Sequence, residues 1–227
     1  MKLRARSKRA VEAARALVAE LALRGPRDLD VELIAADRGA YVLFSDLAGN
    51  EEGHLLHAGR RSIIRVRASL HGTPKGRFVM AHEIGHHILH ADVDHFAQCT
   101  SEGLAPGGTR WRIEGEASDF ASELVVPTSM AYAHCRAERP SLDDVIALAA
   151  RFHVSVTTAA LRYLEMTDAA CAFVETRAGR VKRASGTARF RGEAIRGRVF
   201  QAPPDAVLQS LPVERTDVAL TWLCQPA

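Results

Sequence analysis

The sequence lacks the features that define several broad classes of protein. Its four cysteines (Cys99, Cys135, Cys171 and Cys224) lie far apart and form no CxxC pair, so no disulfide framework is indicated. We expect reduced thiols in a cytoplasmic protein, with a single disulfide as the open alternative. No apolar run reaches the roughly 18–20 residues that cross a bilayer, so we expect no membrane association.

The chain also lacks a large excess of charge of either sign. The formal net charge of +3 is too small to indicate a nucleic-acid partner by itself. Its distribution is uneven, because the stretch from Asp168 to Arg198 holds eight basic and three acidic residues. A solvated basic surface is the favoured interpretation of that stretch, with an acidic or DNA-bound partner as the alternative.

Periodicity and turn residues predict an α+β protein. The basic amino-terminal segment lacks the apolar core and cleavage site of a signal peptide, so we expect an amphipathic helix there. The sequence predicts the following elements: helices at residues 6–23, 31–38, 74–90, 142–152 and 155–166, another helix ending near 126, and short strands at 41–45, 54–58, 62–67, 171–175 and 218–224. We expect a domain at residues 1–167, in which a small mixed or antiparallel sheet packs on helices. A small, basic, β-rich module at residues 168–227 completes the chain.

The helix at residues 74–90 contains an HExxH motif, His82-Glu83-Ile84-Gly85-His86. Four residues of α-helix turn the chain by about 400°, so His82 and His86 project from one face. Two imidazoles so placed can share one zinc ion. Glu83 lies about 100° around the helix from His82, where a general base for a zinc-activated water belongs. The motif therefore predicts a metal site with a catalytic glutamate.

A catalytic zinc needs a third protein ligand. Asp92 follows the motif too closely, because a helix that continues through Leu89 cannot bring it back to the metal. The next helix offers Glu114 and Glu116. Small and apolar residues share the side of Glu114, whereas Glu116 points largely away, and a buried carboxylate needs a partner such as a metal. The pattern favours Glu114 and leaves Glu116 as the alternative.

Three segments together resemble the ImmA/IrrE family of bacterial metallopeptidases. They read GRFVMAHEIGHHILH, ExEASDFASELVVP and ALAARFHVSVTTAALRYL, and the resemblance covers residues 10–164. It implies a gluzincin-like fold, Zn²⁺ bound by His82, His86 and Glu114, and Glu83 as the catalytic acid and base. One departure is Ser118, where members commonly carry Asn, and it bears on how Glu114 is supported.

The resemblance also implies a substrate class. Members act on helix-turn-helix transcriptional repressors, whose cleavage relieves repression of stress or mobile-element genes. We therefore expect a zinc-dependent endopeptidase with a regulatory protein as its substrate. Manganese or another divalent ion stays an alternative, because histidine and carboxylate ligands suit several metals.

Several residues outside the metal motif invite a role. Tyr132, His134 and His153 could each stabilise an oxyanion, and the sequence does not rank them. Residues 62–67 could be an edge strand that receives an extended substrate by main-chain pairing.

Two other functions stay open at this point. One is a metal-containing sensor or partner that sequesters a repressor without cutting it. The other is a DNA-binding regulator, because residues 153–164 look like the second half of a helix-turn-helix. The same helix equally completes a peptidase core, so direct DNA binding is the less favoured interpretation.

Overall fold

The computed structural model describes residues 3–58, 61–91, 108–194, 196–213 and 217–226. The helices in these ranges are α1 Lys8–Glu20, α2 Val31–Asp37, α3 Pro74–Leu89, α4 Thr109–Val125, α5 Thr128–Ala131, α6 Leu142–Phe152 and α7 Val156–Met166. The strands are β1 Ala40–Ser45, β2 Gly53–Ala58, β3 Arg61–Arg67, β4 Cys171–Arg177, β5 Arg180–Gly186, β6 Val207–Pro212 and β7 Val218–Cys224. The mixed α+β composition predicted from the sequence is therefore present.

Short polar side chains set the starts of the helices. The Ser7 side chain accepts from the backbone N–H of Ala10 at α1, and the Thr73 side chain accepts from Gly76 at α3, where Pro74 follows as the first helical residue. Ser141 and Asp144 form a reciprocal capping box at α6. These signals are local in sequence, which is why the predicted helix boundaries lie within a few residues of the observed ones.

The chain divides into two compact units, one made of Arg6–Met130 and the other of Met1–Ala5 with Ala131–Ala227. This division falls elsewhere than the domain boundary that we predict after residue 167. A compact unit need not fold independently, so the predicted boundary stays a prediction.

A mixed three-stranded sheet lies in the unit Arg6–Met130. The strand order is β1-β3-β2, with β1 parallel and β2 antiparallel to β3. The expectation that residues 62–67 form an edge strand is wrong. Strand β3 hydrogen-bonds to a neighbour on each side, so it has no open edge for a substrate, and β2 is an edge strand instead.

A four-stranded antiparallel sheet with the order β5-β4-β7-β6 lies in the other unit. Trp222 on β7 is buried, donates its indole N–H to the carbonyl oxygen of Pro140, and packs edge-on against Tyr163 of α7. This contact anchors the sheet to the helices of the same unit. The strands confirm that the sequence after residue 168 is rich in β structure.

The cysteines and the helices bear on two further expectations from the sequence, the state of the thiols and membrane association. Cys135, Cys171 and Cys224 are buried free thiols, and Cys99 lies outside the described residues. No single helix of the described chain has the length and apolar character to cross a membrane; α6 and α7 reach that composition only together, across a bend of 111°. The cytoplasmic location stays a prediction.

Candidate metal centre

Helix α3 presents the two motif histidines to each other. The Nε2 atoms of His82 and His86 lie 3.0 Å apart, and their rings meet edge to face with centroids 4.7 Å apart. The side chains retain only 12% and 4% exposure respectively. The four-residue spacing on one helix therefore gives the pairing that the sequence predicts.

A close crossing of α3 and α4 brings in the third donor. A Cβ atom on Gly85 would lie only 3.1 Å from the Cα and the carbonyl oxygen of Ala117 on α4, so any side chain there would require the two helices to separate by a few tenths of an ångström. The crossing places Glu114 Oε2 at 3.1 Å from His82 Nε2 and at 3.6 Å from His86 Nε2. Gly85 thus has a structural reason to interrupt an otherwise good helix sequence.

The three donor atoms fit a metal ion. Ligands on a tetrahedral zinc with bonds of 2.0–2.1 Å are separated from one another by about 3.3 Å. The separations among His82, His86 and Glu114 run from 3.0 to 3.6 Å. Two nitrogens and one carboxylate oxygen are also a donor set that suits zinc. The cluster could therefore hold a metal ion.

The surroundings of Glu114 favour the ionised form of its carboxyl group. Burial alone would raise its pKa, but hydrogen bonds from His82 and His86 and their charges outweigh this effect and hold the pKa well below its usual value. The carboxylate therefore stays ionised at neutral pH, and an anionic oxygen is what a divalent cation requires.

Glu83 lies outside this triad of donors. Its side chain is only 1% exposed and lies beside the first residue of the edge strand β2, where a Cβ atom on Gly53 would come within 2.7 Å of Glu83 Oε1 and 2.5 Å of Val79 Cγ1. Gly53 therefore makes room for the carboxylate. Sequence reasoning missed this residue, because nothing local links a glycine at the start of a strand to a helix that follows later.

Each histidine has a further partner at its other ring nitrogen. Ser118 Oγ lies 3.3 Å from His82 Nδ1, and His90 Nδ1 lies 3.3 Å from His86 Nδ1. The sequence comparison had linked Ser118 to the support of Glu114; this contact instead links it to His82. Burial lowers the pKa of His90, and this outweighs the opposing effect of its hydrogen bond to Glu116.

The structure separates the two glutamates that compete in the sequence. Glu114 joins the histidine pair, whereas Glu116 Oε2 lies 3.0 Å from His90 Nε2 and 3.5 Å from Arg9 Nη1. Asp92, which the sequence analysis set aside as a ligand, lies outside the described residues.

The structure also places a further histidine of α3 and the three oxyanion candidates. His87 on α3 is partly buried and bonds to the carbonyl oxygen of Arg38 and to Ser62 Oγ. The three oxyanion candidates at positions 132, 134 and 153 belong to the other compact unit, and their role stays a prediction.

The protein is an α+β protein in which His82, His86 and Glu114 form a cluster that could hold a metal ion. Residues 35–164 match the model of the IrrE N-terminal-like domain, peptidase family M78. The match spans more than half of the chain, so the chain belongs to this family. The resemblance to ImmA/IrrE proteins is thereby confirmed, and membership suggests a metallopeptidase.

Comparison with solved structures gives a relative in fold. A Mycobacterium tuberculosis transcriptional regulator superposes with a TM-score of 0.60 at 16% sequence identity, covering 97% of this chain and 89% of that one. At this identity the likeness concerns the fold alone. No curated protein sequence matches the chain.

Proposed function

We propose that this protein is a zinc-dependent endopeptidase that hydrolyses one peptide bond in a specific regulatory protein. The observation that carries the proposal is the triangle of donor atoms from His82, His86 and Glu114, with separations that suit one zinc ion. Glu83 lies on the same helix, and the chain belongs to a peptidase family.

The proposed roles follow from the positions of the side chains. Zn²⁺ bound by His82, His86 and Glu114 would lower the pKa of water toward about 7 and polarise the scissile carbonyl. Glu83 accepts the proton of the attacking water and then delivers it to the leaving nitrogen. Burial of Glu83 beside β2 keeps bulk water from competing for this proton.

Strand β2 is our candidate for the substrate-binding strand. Among the described strands it pairs with β3 on one side only, and its first residue, Gly53, touches Glu83. An extended peptide that adds to an open sheet edge gains main-chain hydrogen bonds without a sequence requirement. Such pairing would hold the scissile bond beside the general base.

The substrate class that we propose is a helix-turn-helix transcriptional repressor. The proposal rests on the resemblance to ImmA/IrrE proteins, and it is in keeping with a fold shared with a transcriptional regulator. Direct DNA reading by this chain has weaker support. Recognition requires exposed side chains at the start of the second helix, and the residues that open α7, Val156 and Thr157, are half-buried.

Cleavage by the zinc-loaded protein tests the proposal. Purified protein is incubated with candidate helix-turn-helix repressors and, in parallel, with a peptide library made from a bacterial proteome, and products are identified by mass spectrometry. We expect cuts by the wild type and none by Glu83→Gln, with zinc content equal in both.

Two outcomes would contradict the proposal. Cleavage that persists in Glu83→Gln would indicate a contaminating peptidase. No cut in any repressor or library peptide, together with relief of repression by Glu83→Gln in cells, would favour a partner that sequesters a repressor without cutting it.

A further inference from the structure

The two motif histidines have different partners at their Nδ1 atoms. His82 Nδ1 lies 3.3 Å from the hydroxyl oxygen of Ser118. His86 Nδ1 meets a second imidazole, that of His90, at 3.3 Å, and His90 Nε2 in turn lies 3.0 Å from Glu116 Oε2. His86 therefore has a histidine and a carboxylate in series behind it.

The hydrogens in this series can take one arrangement when His86 binds a cation. A neutral imidazole that binds a cation through Nε2 keeps its hydrogen on Nδ1. That hydrogen must point to His90 Nδ1, which therefore accepts. His90 then carries its own hydrogen on Nε2 and donates it to the carboxylate of Glu116. The series has a defined direction from His86 to Glu116.

The far end of the series is anchored. The side chains of His90 and Glu116 are 3% and 12% exposed, so solvent competes little for their hydrogen bonds. Arg9 of α1 donates to the carbonyl oxygen of Leu89 at 2.6 Å and lies 3.5 Å from Glu116 Oε2. Arg9 of α1 and His90, the residue that follows α3, thus hold the carboxylate that α4 carries.

We propose that His90 and Glu116 are a positioning pair that fixes the ring orientation and tautomer of His86 for binding a divalent cation. The inference rests on the proposed metal centre and goes beyond it, because neither residue belongs to the donor triangle. Groups that hydrogen-bond to the free ring nitrogen of a histidine ligand, as His90 does here, typically raise metal affinity by about 10–100-fold.

Zinc affinity measured by chelator competition tests the pair. At neutral pH we expect Glu116→Ala and His90→Leu to weaken zinc binding by about 10–100-fold. Glu116→Gln should lose less, because its amide oxygen still accepts from His90 Nε2. The matched control is Glu123→Gln, a buried carboxylate on the same helix that bonds to Arg6 and Arg15, which should lower the melting temperature and leave zinc affinity unchanged.

The outcomes separate this inference from the proposed function. A wild type that binds no zinc overturns the metal centre and the pair with it. A wild type that binds zinc while Glu116→Ala and His90→Leu bind it equally well overturns the pair alone.

A second measurement needs no variant that could fail to fold. Long-range ¹H–¹⁵N spectra of zinc-loaded wild type should show His90 protonated on Nε2 and bare on Nδ1. A hydrogen on His90 Nδ1 would contradict the series.

Discussion

The two halves of helix α4 carry carboxylates in opposite surroundings. In the first half, Glu114 and Glu116 face imidazole nitrogens. In the second half, Glu123 accepts from Arg6 at 2.9 Å, from Arg15 at 3.1 Å and from the backbone N–H of Thr128 at 3.0 Å. One helix therefore presents the same type of side chain to two different kinds of partner.

The type of partner indicates whether a carboxylate on α4 contributes to the stability of the fold or to the proposed metal site. Guanidinium and backbone N–H groups are permanent donors, so the carboxylate of Glu123 is satisfied by the fold itself. An imidazole nitrogen can exchange its proton for a metal ion, so the histidine partners of Glu114 would allow it to share a cation with them. Substitutions at the two ends should accordingly change different measurements.

The largest effect should come from Glu114→Ala. Losing one of the three proposed protein ligands should weaken zinc affinity by more than about 100-fold, which is the upper end of the effect of a supporting residue. Peptidase activity should disappear with the zinc. Elemental analysis and chelator competition measure the loss. Retention of stoichiometric zinc by this variant would show that Glu114 is not a ligand.

Glu123→Ala should affect stability instead. Removing one partner of a buried ion pair typically costs about 3–5 kcal/mol. The loss should be at the lower end of that range, because Arg15 is 55% exposed and Arg6 keeps its bond to the carbonyl oxygen of Asp119. Urea unfolding in the presence of chelator measures it. If the folded variant bound zinc much more weakly than wild type, the separation between the two ends of α4 would be broken.

The sequence indicated which residues come together at the histidine end of this comparison, and it gave no indication of the arginine end. The HExxH spacing and the apolar side of Glu114 are local patterns on single helices, so periodicity alone indicates them. The bonds from Arg6 and Arg15 to Glu123 join residues more than a hundred positions apart. The sequence contains many other arginines, and no local pattern indicates which of them pairs with Glu123.

The sheet shows the same limit. Strands β1, β2 and β3 lie where the turn residues predict them, because turns are local. Their order is not local, and the expectation of an open edge at residues 62–67 was wrong since β3 lies between the other two strands. The strands β5 and β6 were missed, because their alternation is weak and both flank the better-marked strands of their sheet.

Removing zinc should lower stability by an intermediate amount. Zinc that binds only the folded state adds about 2.7 kcal/mol when its free concentration is 100 times the dissociation constant. The melting temperature of wild type should therefore fall on chelation, and that of Glu114→Ala should not. An equal response of the two proteins would place the metal elsewhere.

The smallest effect on stability should come from Gly85→Ala. Alanine improves helix propensity by up to about 1 kcal/mol, which offsets strain where its methyl group meets Ala117 at 3.1 Å. The strain moves α4 away from α3 by a few tenths of an ångström and opens the donor triangle. Zinc affinity should therefore fall several-fold while unfolding in chelator changes little. An unchanged affinity would mean that the crossing distance does not set the site.

The distribution of the donors over two helices also has a consequence for the order of folding. His82 and His86 lie on one helix and could bind a cation weakly as soon as α3 forms, whereas Glu114 arrives only when α4 docks. A cation captured early would cross-link the chain between α3 and α4 and remove conformational freedom from the unfinished molecule. Newly synthesised chains that fold with the ion present should then reach the native state by a shorter search than chains that receive it afterwards.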